Sequence, residues 1–215
     1  MHAVTRAATP GAAQEGVEKG AEAPMMNPIA VLFARADSIY KSFPFCDVWD
    51  INRDALQWPG GTPCIAHPPC RLWGCLRQFS TAPPEEKALG VWAIAQVRQW
   101  GGVVEHPAMS GLWKATHCPQ PSGGIDQWGG WMLGIYQQWF GHRACKPTWL
   151  YIVGCRPVHI PPIPFVLGEA SHVISSVNSR GRPQVTKRER DATPPALAAW
   201  LIAVAEQCTQ RKESP

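Results

Sequence analysis

Charged residues make up only 17% of this 215-residue chain, and no apolar run is long enough to cross a bilayer. So small a charged fraction argues against a polyelectrolyte chain, and without a long apolar run membrane insertion is not expected. The start of the chain also lacks the charged-then-apolar pattern of a secretory leader. The expectation is a cytoplasmic protein, without a membrane partner, whose eight cysteines are thiols. No internal repeat is found, which sets solenoids and propellers aside. What is abundant is proline (22) and tryptophan (11), and that much proline argues for long ordered loops and against an all-helical bundle. The net charge of +4 permits a nucleic-acid partner without requiring one.

Residues 1–25 are rich in Ala, Gly and Glu with no apolar periodicity, and read as a disordered tail. Residues 26–210 read as a single domain, and 211–215 as a second tail. Within the domain, IAVLFA (Ile29–Ala34) is apolar throughout, as a strand covered on both faces should be. CDVWDI, PCIAH, GVVEHP and TWLYIVGC read as further strands, starting at Cys46, Pro63, Gly102 and Thr148. A helix is predicted from Pro84 to Trp100, with proline and two glutamates in its first turn and Gly101–Gly102 as its stop. A last helix is predicted from Thr193 to Cys208, with Thr193 as its cap. Strand, helix and strand with both strands apolar give a βαβ unit and a mostly parallel α/β sheet. Ligands bind such sheets beyond the carboxyl ends of the strands.

Two polar breaks fall at such ends, HPPC (His67–Cys70) and EHP (Glu105–Pro107). The helix between them makes their strands neighbours, so a thiol and a carboxyl would share one crevice. That pairing suits covalent catalysis, in which the thiolate attacks an electrophilic carbon while the carboxyl holds a ring nitrogen. Arg71 and Arg77 stand ready to lower the thiol pKa or hold a phosphate. Cys70 reads equally as a small buried core residue, and Glu105 as a cap or salt-bridge partner. Cys64, His67, Cys70 and Cys75 also have short, zinc-like spacing, but strand alternation sends Cys64 and His67 to opposite faces, and no metal is expected. The Trp- and Gln-rich stretch from Gly123 to Arg143 reads as an irregular lid or as a stacking surface for bases. The basic stretch from Ser179 to Asp191 reads as a phosphate contact or a solvated loop.

These pieces resemble, in order along the chain, the cytosine-5 DNA methyltransferases, and more closely still short phage methyltransferase-like proteins. Pro69–Cys70 is similar to that family's nucleophile motif, Glu105–His106–Pro107 to its Glu-Asn-Val motif, and TPPALAAWL to its C-terminal motif. The resemblance implies a shortened Rossmann-like, methyltransferase-type sheet. It also implies Cys70 and Glu105 as catalytic residues, and DNA or a cytosine nucleotide as substrate. S-adenosylmethionine is the implied cofactor, held by Phe33, Ala34 and Asp50. Arg71, Arg77, His106, Lys146 and Thr148 are the implied substrate contacts. The chain departs from the family in reading ARADSIYKS (Ala34–Ser42) where a glycine-rich turn is expected, and a strand and helix are missing between Asp50 and Cys70. A binding-only relative, and a base-modifying enzyme with another donor, are the alternative readings.

Overall fold

The computed structural model describes residues 28–175 and 179–209, so both predicted tails, 1–25 and 211–215, lie outside the described residues. The predicted strands form as β1 (Ile29–Ala34), β2 (Cys46–Asp50), β3 (Cys64–Ala66) and β4 (Gly102–Pro107). The strand read from Thr148 runs from Pro147 to Val153, and is the last of the sheet, β6. One strand was not anticipated. Gly130–Tyr136, inside the stretch read as an irregular lid, is β5. Its glycines at positions 130 and 134 hid the alternation, and Gly130 is there because a Cβ would meet the Tyr151 hydroxyl at 2.2 Å.

Together they make a six-stranded sheet in the order β2-β1-β3-β4-β6-β5. The first four are mutually parallel, and β6 runs antiparallel to both its neighbours. Between β2 and β3 only a 3-10 turn at Ala55–Gln57 is found, which agrees with the missing strand and helix. The chain leaves β1 for β2 on one side and returns to β3 on the other. The crevice beyond the carboxyl ends of β1 and β3 is therefore the topological switch point of the sheet.

Helices cover both faces. α1 (Glu86–Trp100) and the short α2 (Gly111–Ala115) pack on one face, where Leu32, Cys64, Ala66, Val104 and Tyr151 meet Ile94, Val97, Leu112 and Trp113. The alternate residues Val31, Ile65, Val103, Leu150 and Ile152 meet α4 (Pro195–Thr209) on the other. Each buried Leu or Ile stabilises by about 1.5–3 kcal/mol, which is why continuously apolar strands need helices on both sides. α1 stops at Gly101, whose φ of +83° and N–H to the Val97 carbonyl close the helix as predicted. α4 starts at Pro195, and the Pro194 carbonyl accepts from Ala198, so the cap falls on Pro194 and not on Thr193. The basic stretch carries a five-residue helix, α3 (Lys187–Asp191). No helix among the described residues is long and apolar enough to cross a membrane.

Candidate active site

The parallel pairing of β3 with β4 sets Ala66 against Val104, so the two chains reach the crevice one residue later as His67 and Glu105. Strand alternation turns both toward the α4 face, where Tyr40 also lies. Tyr40 comes from the 3-10 turn Ile39–Ser42 that follows β1 and is fully buried. The Nδ1 of His67 lies 3.1 Å from Glu105 Oε2, and its Nε2 lies 3.1 Å from the Tyr40 hydroxyl. On the other side, Gln137 Nε2 donates to Glu105 Oε1 at 2.9 Å and to Thr148 Oγ1 at 3.1 Å. Gln137 comes from the turn after β5, and Thr148 from the start of β6.

Burial alone would raise the Glu105 carboxyl. The His67 hydrogen bond, the Lys146 ammonium and the neighbouring histidines outweigh it and hold Glu105 at about 2. It is thus a carboxylate near neutral pH, with its side chain 13% exposed. Cys70 sits on the loop beyond β3, where its carbonyl accepts from the N–H groups of Trp73 and Gly74. It is an exposed residue. Partial desolvation, and then the Glu105 charge, push the thiol above its ordinary value, while Lys146 pulls it down. The thiol and the carboxyl therefore sense each other across one crevice, and Lys146 acts on both.

The other predicted contacts are spread more widely. Arg71 is committed to a two-point pair with Glu86, which ties the Cys70 loop to the first turn of α1. Arg77 lies on an exposed turn, with one 3.4 Å contact to the Gly74 carbonyl. Lys146 donates to the Arg190 carbonyl at 2.8 Å, which brings α3 over the crevice. Thr148 is fully buried and orients Gln137 instead of facing solvent. His106 alternates onto the opposite face of the sheet from Glu105, 1% exposed and edge-on to Trp113. Its ring nitrogens make no well-formed hydrogen bond, and burial lowers it to about 4 against the opposing pull of the Glu105 charge and the Pro69 carbonyl, so it is neutral near pH 7.

The residues implied as a cofactor cradle do not fit S-adenosylmethionine. Asp50, at the end of β2, gives Oδ2 to Lys41 at 2.6 Å and Oδ1 to the Asn52 N–H at 2.9 Å. Phe33 has a φ of +58° at a bulge in β1, but its ring fills the space by packing edge-on against Trp92 at 5.7 Å. Ala34 is buried beside it, and Arg35 and Asp37 pair with each other where glycines would let a backbone approach a ligand.

The zinc-like cluster is not assembled either. Cys64 lies at the entry of β3, with its sulfur 3.9 Å from the Gly101 carbonyl, while His67 is engaged at the exit. Among the described residues no group of three or more His, Cys, Asp or Glu could hold a metal ion. All eight cysteines are free. Tyr40 and Gln137 were not anticipated, and His67 was read only as a metal ligand. The position of His67 directly after an apolar strand was the one available signal. Comparison of the chain with protein-family models, with curated proteins and with solved structures gives no match.

Proposed function

We propose that this protein modifies the C5 position of cytosine in DNA or in a cytosine nucleotide, using Cys70 as nucleophile and Glu105 to hold the base. The observation that carries this reading is that Cys70, just beyond β3, feels the charge of Glu105 on the neighbouring strand β4, with Lys146 acting on both. Support also comes from the sheet, whose first four strands follow the doubly wound order with the outermost strand removed. The exposed α3, whose Arg188 pairs with Asp37 just beyond β1 and whose Arg190 carbonyl accepts from Lys146, brings basic side chains to this end of the sheet and suits a phosphate backbone. In a duplex the target base would have to leave the stack to reach Cys70.

The chemistry needs no cofactor for its first half. As the thiol proton leaves to water, sulfur bonds to ring C6 and the C5–C6 π pair moves to C5. Glu105, as a carboxylate, accepts hydrogen bonds from the exocyclic amine and from N3–H, once ring N3 has taken a proton from water, which makes C6 electrophilic. C5 can then take a proton from water, and reversal ejects the original C5 hydrogen. The donor of the final group is a separate matter, because the present arrangement around Asp50 does not fit S-adenosylmethionine. The test is therefore independent of the donor. Protein is incubated with DNA or dCMP carrying tritium at cytosine C5, and release of tritium to water is counted, with S-adenosylmethionine then added to look for methyl transfer. Release that depends on Cys70 and Glu105 is expected, and its rate should still climb at pH 9, because the thiol is raised above the ordinary value of 9.0. No release from either substrate overturns the reading.

A further inference from the structure

The geometry points to Tyr40 and His67 as a positioning pair that fixes how Glu105 meets its substrate, an inference that rests on the base-modifying reading above. The two come from different parts of the chain and converge on one carboxylate oxygen. Tyr40 is 0% exposed, and its hydroxyl lies 3.1 Å from His67 Nε2. The rings are tilted by 41° with centroids 5.4 Å apart, so packing as well as hydrogen bonding holds the imidazole. The His67 backbone is pinned too, its N–H donating to the Leu32 carbonyl at 3.0 Å.

The direction of the hydrogen bonds follows from what each group can do. Glu105 is ionised and can only accept, so the ring nitrogen facing it, Nδ1, must carry hydrogen. With a neutral ring, Nε2 is then the acceptor for the Tyr40 hydroxyl. Tyr40 does not feed a proton through to the base, because burial, and then the Glu105 charge, raise it well above its ordinary value and forbid a tyrosinate. Glu105 already sets the hydrogen on Nδ1, so the part of Tyr40 is to hold the ring in place by donating to Nε2. With Nδ1–H on Oε2 and the Gln137 amide on Oε1, each carboxylate oxygen keeps lone pairs directed outward. A wrong tautomer would set a bare nitrogen against the carboxylate and turn it away.

The experiment combines a spectroscopic and a kinetic reading on the full chain. Nitrogen-15 NMR of the histidines assigns the His67 tautomer at pH 8 in the wild type and in Tyr40→Phe, a change that removes only a hydroxyl. The wild type should show Nδ1–H with a hydrogen-bonded, unprotonated Nε2, and Tyr40→Phe should keep Nδ1–H but move the Nε2 resonance downfield as that hydrogen bond is lost. Tritium release should fall about tenfold in Tyr40→Phe and about 100-fold in His67→Ala. His67→Asn should recover most of that loss, since its amide N–H can stand near the place of Nδ1–H. An Nε2–H or doubly protonated ring in the wild type overturns the inference. So does an unmoved Nε2 resonance in Tyr40→Phe, or a His67→Asn protein no better than His67→Ala. If wild-type protein releases no tritium, the base-modifying reading falls by itself, and the Nε2 resonance then decides alone whether Tyr40 holds His67.

Discussion

The two ends of the β3–β4 pair are built on opposite rules. At the entry end, Gly101 and Gly102 press against Cys64, and Gly154 lies against Cys208, with thiols and backbone in close contact. Burial drives Cys208 up to about 12 and Cys64 higher still, so these sulfurs behave as apolar filler. At the exit end, the same two strands release a histidine, a thiol and a carboxylate, and polar groups from the β1 and β5 exits and the start of β6 gather around them. One end trades chemistry for packing, and the other trades packing for chemistry. The sharpest test of that division is a pair of substitutions that should fail in opposite ways.

Cys70→Ser should lower tritium release by at least about 10³-fold, because a hydroxyl at this position has no base to activate it. Its stability should stay within about 0.5 kcal/mol of wild type, since the residue is exposed. Gly102→Ala should do the reverse. Its φ is +116°, and a Cβ would lie 1.9 Å from the Cys64 carbonyl oxygen, so β3 and β4 would have to separate. A loss of about 3–5 kcal/mol in urea unfolding is expected. A stable Gly102→Ala protein, or a Cys70→Ser protein that fails to fold, would erase the contrast between the ends.

Acid sharpens the comparison at a smaller scale. His106 falls from an ordinary 6.5 to about 4 in the folded protein, and Glu105 from 4.5 to about 2. Both folded values lie below the unfolded ones, so both groups stabilise the fold above their unfolded values and lose that contribution as pH falls. The His106 window runs from pH 6.5 down to about 4, and the Glu105 window from 4.5 down to about 2. Each window should remove about 3 kcal/mol, read from urea midpoints against pH. His106→Phe, which keeps a ring against Trp113, should flatten the upper window alone. An unchanged slope in that variant would place the acid sensitivity elsewhere.

How much of this was legible in the sequence depended on how local each cause was. The strands that lie between two helix layers were readable, because burial on both faces makes them apolar throughout. β5 was not, because its glycines answer to the Tyr151 side chain on the neighbouring strand and interrupt the alternation. Cys70 and Glu105 were singled out because each falls near the end of an apolar strand, Cys70 four residues past β3 and Glu105 inside β4. Their supporting groups were hidden, since Tyr40 stands 27 positions before His67 and Gln137 stands 32 after Glu105. No window along the chain contains those contacts. Only the parallel register and the β5–β6 hairpin bring them together.

Asp50 gives the smallest effect, and it separates two kinds of carboxylate at strand exits. Glu105 is held by groups drawn from across the fold, whereas Asp50 is held by Lys41 and by the N–H of Asn52, all within one short stretch. Lys41 is 44% exposed on its side chain, and an ion pair of that kind adds little stability. Lys41→Met should therefore move the melting temperature by no more than about 4 °C. What it should change is access. With the ammonium gone, Asp50 regains acceptor sites at the end of β2, and a ribose diol is the natural partner for a carboxylate placed there. Calorimetric titration with S-adenosylmethionine should then show tighter binding to Lys41→Met than to wild type. If Lys41 instead helps to hold the cofactor, binding will weaken. In that case Asp50 and Lys41 act as one unit, and the exits of β2 and β4 are more alike than their contacts suggest.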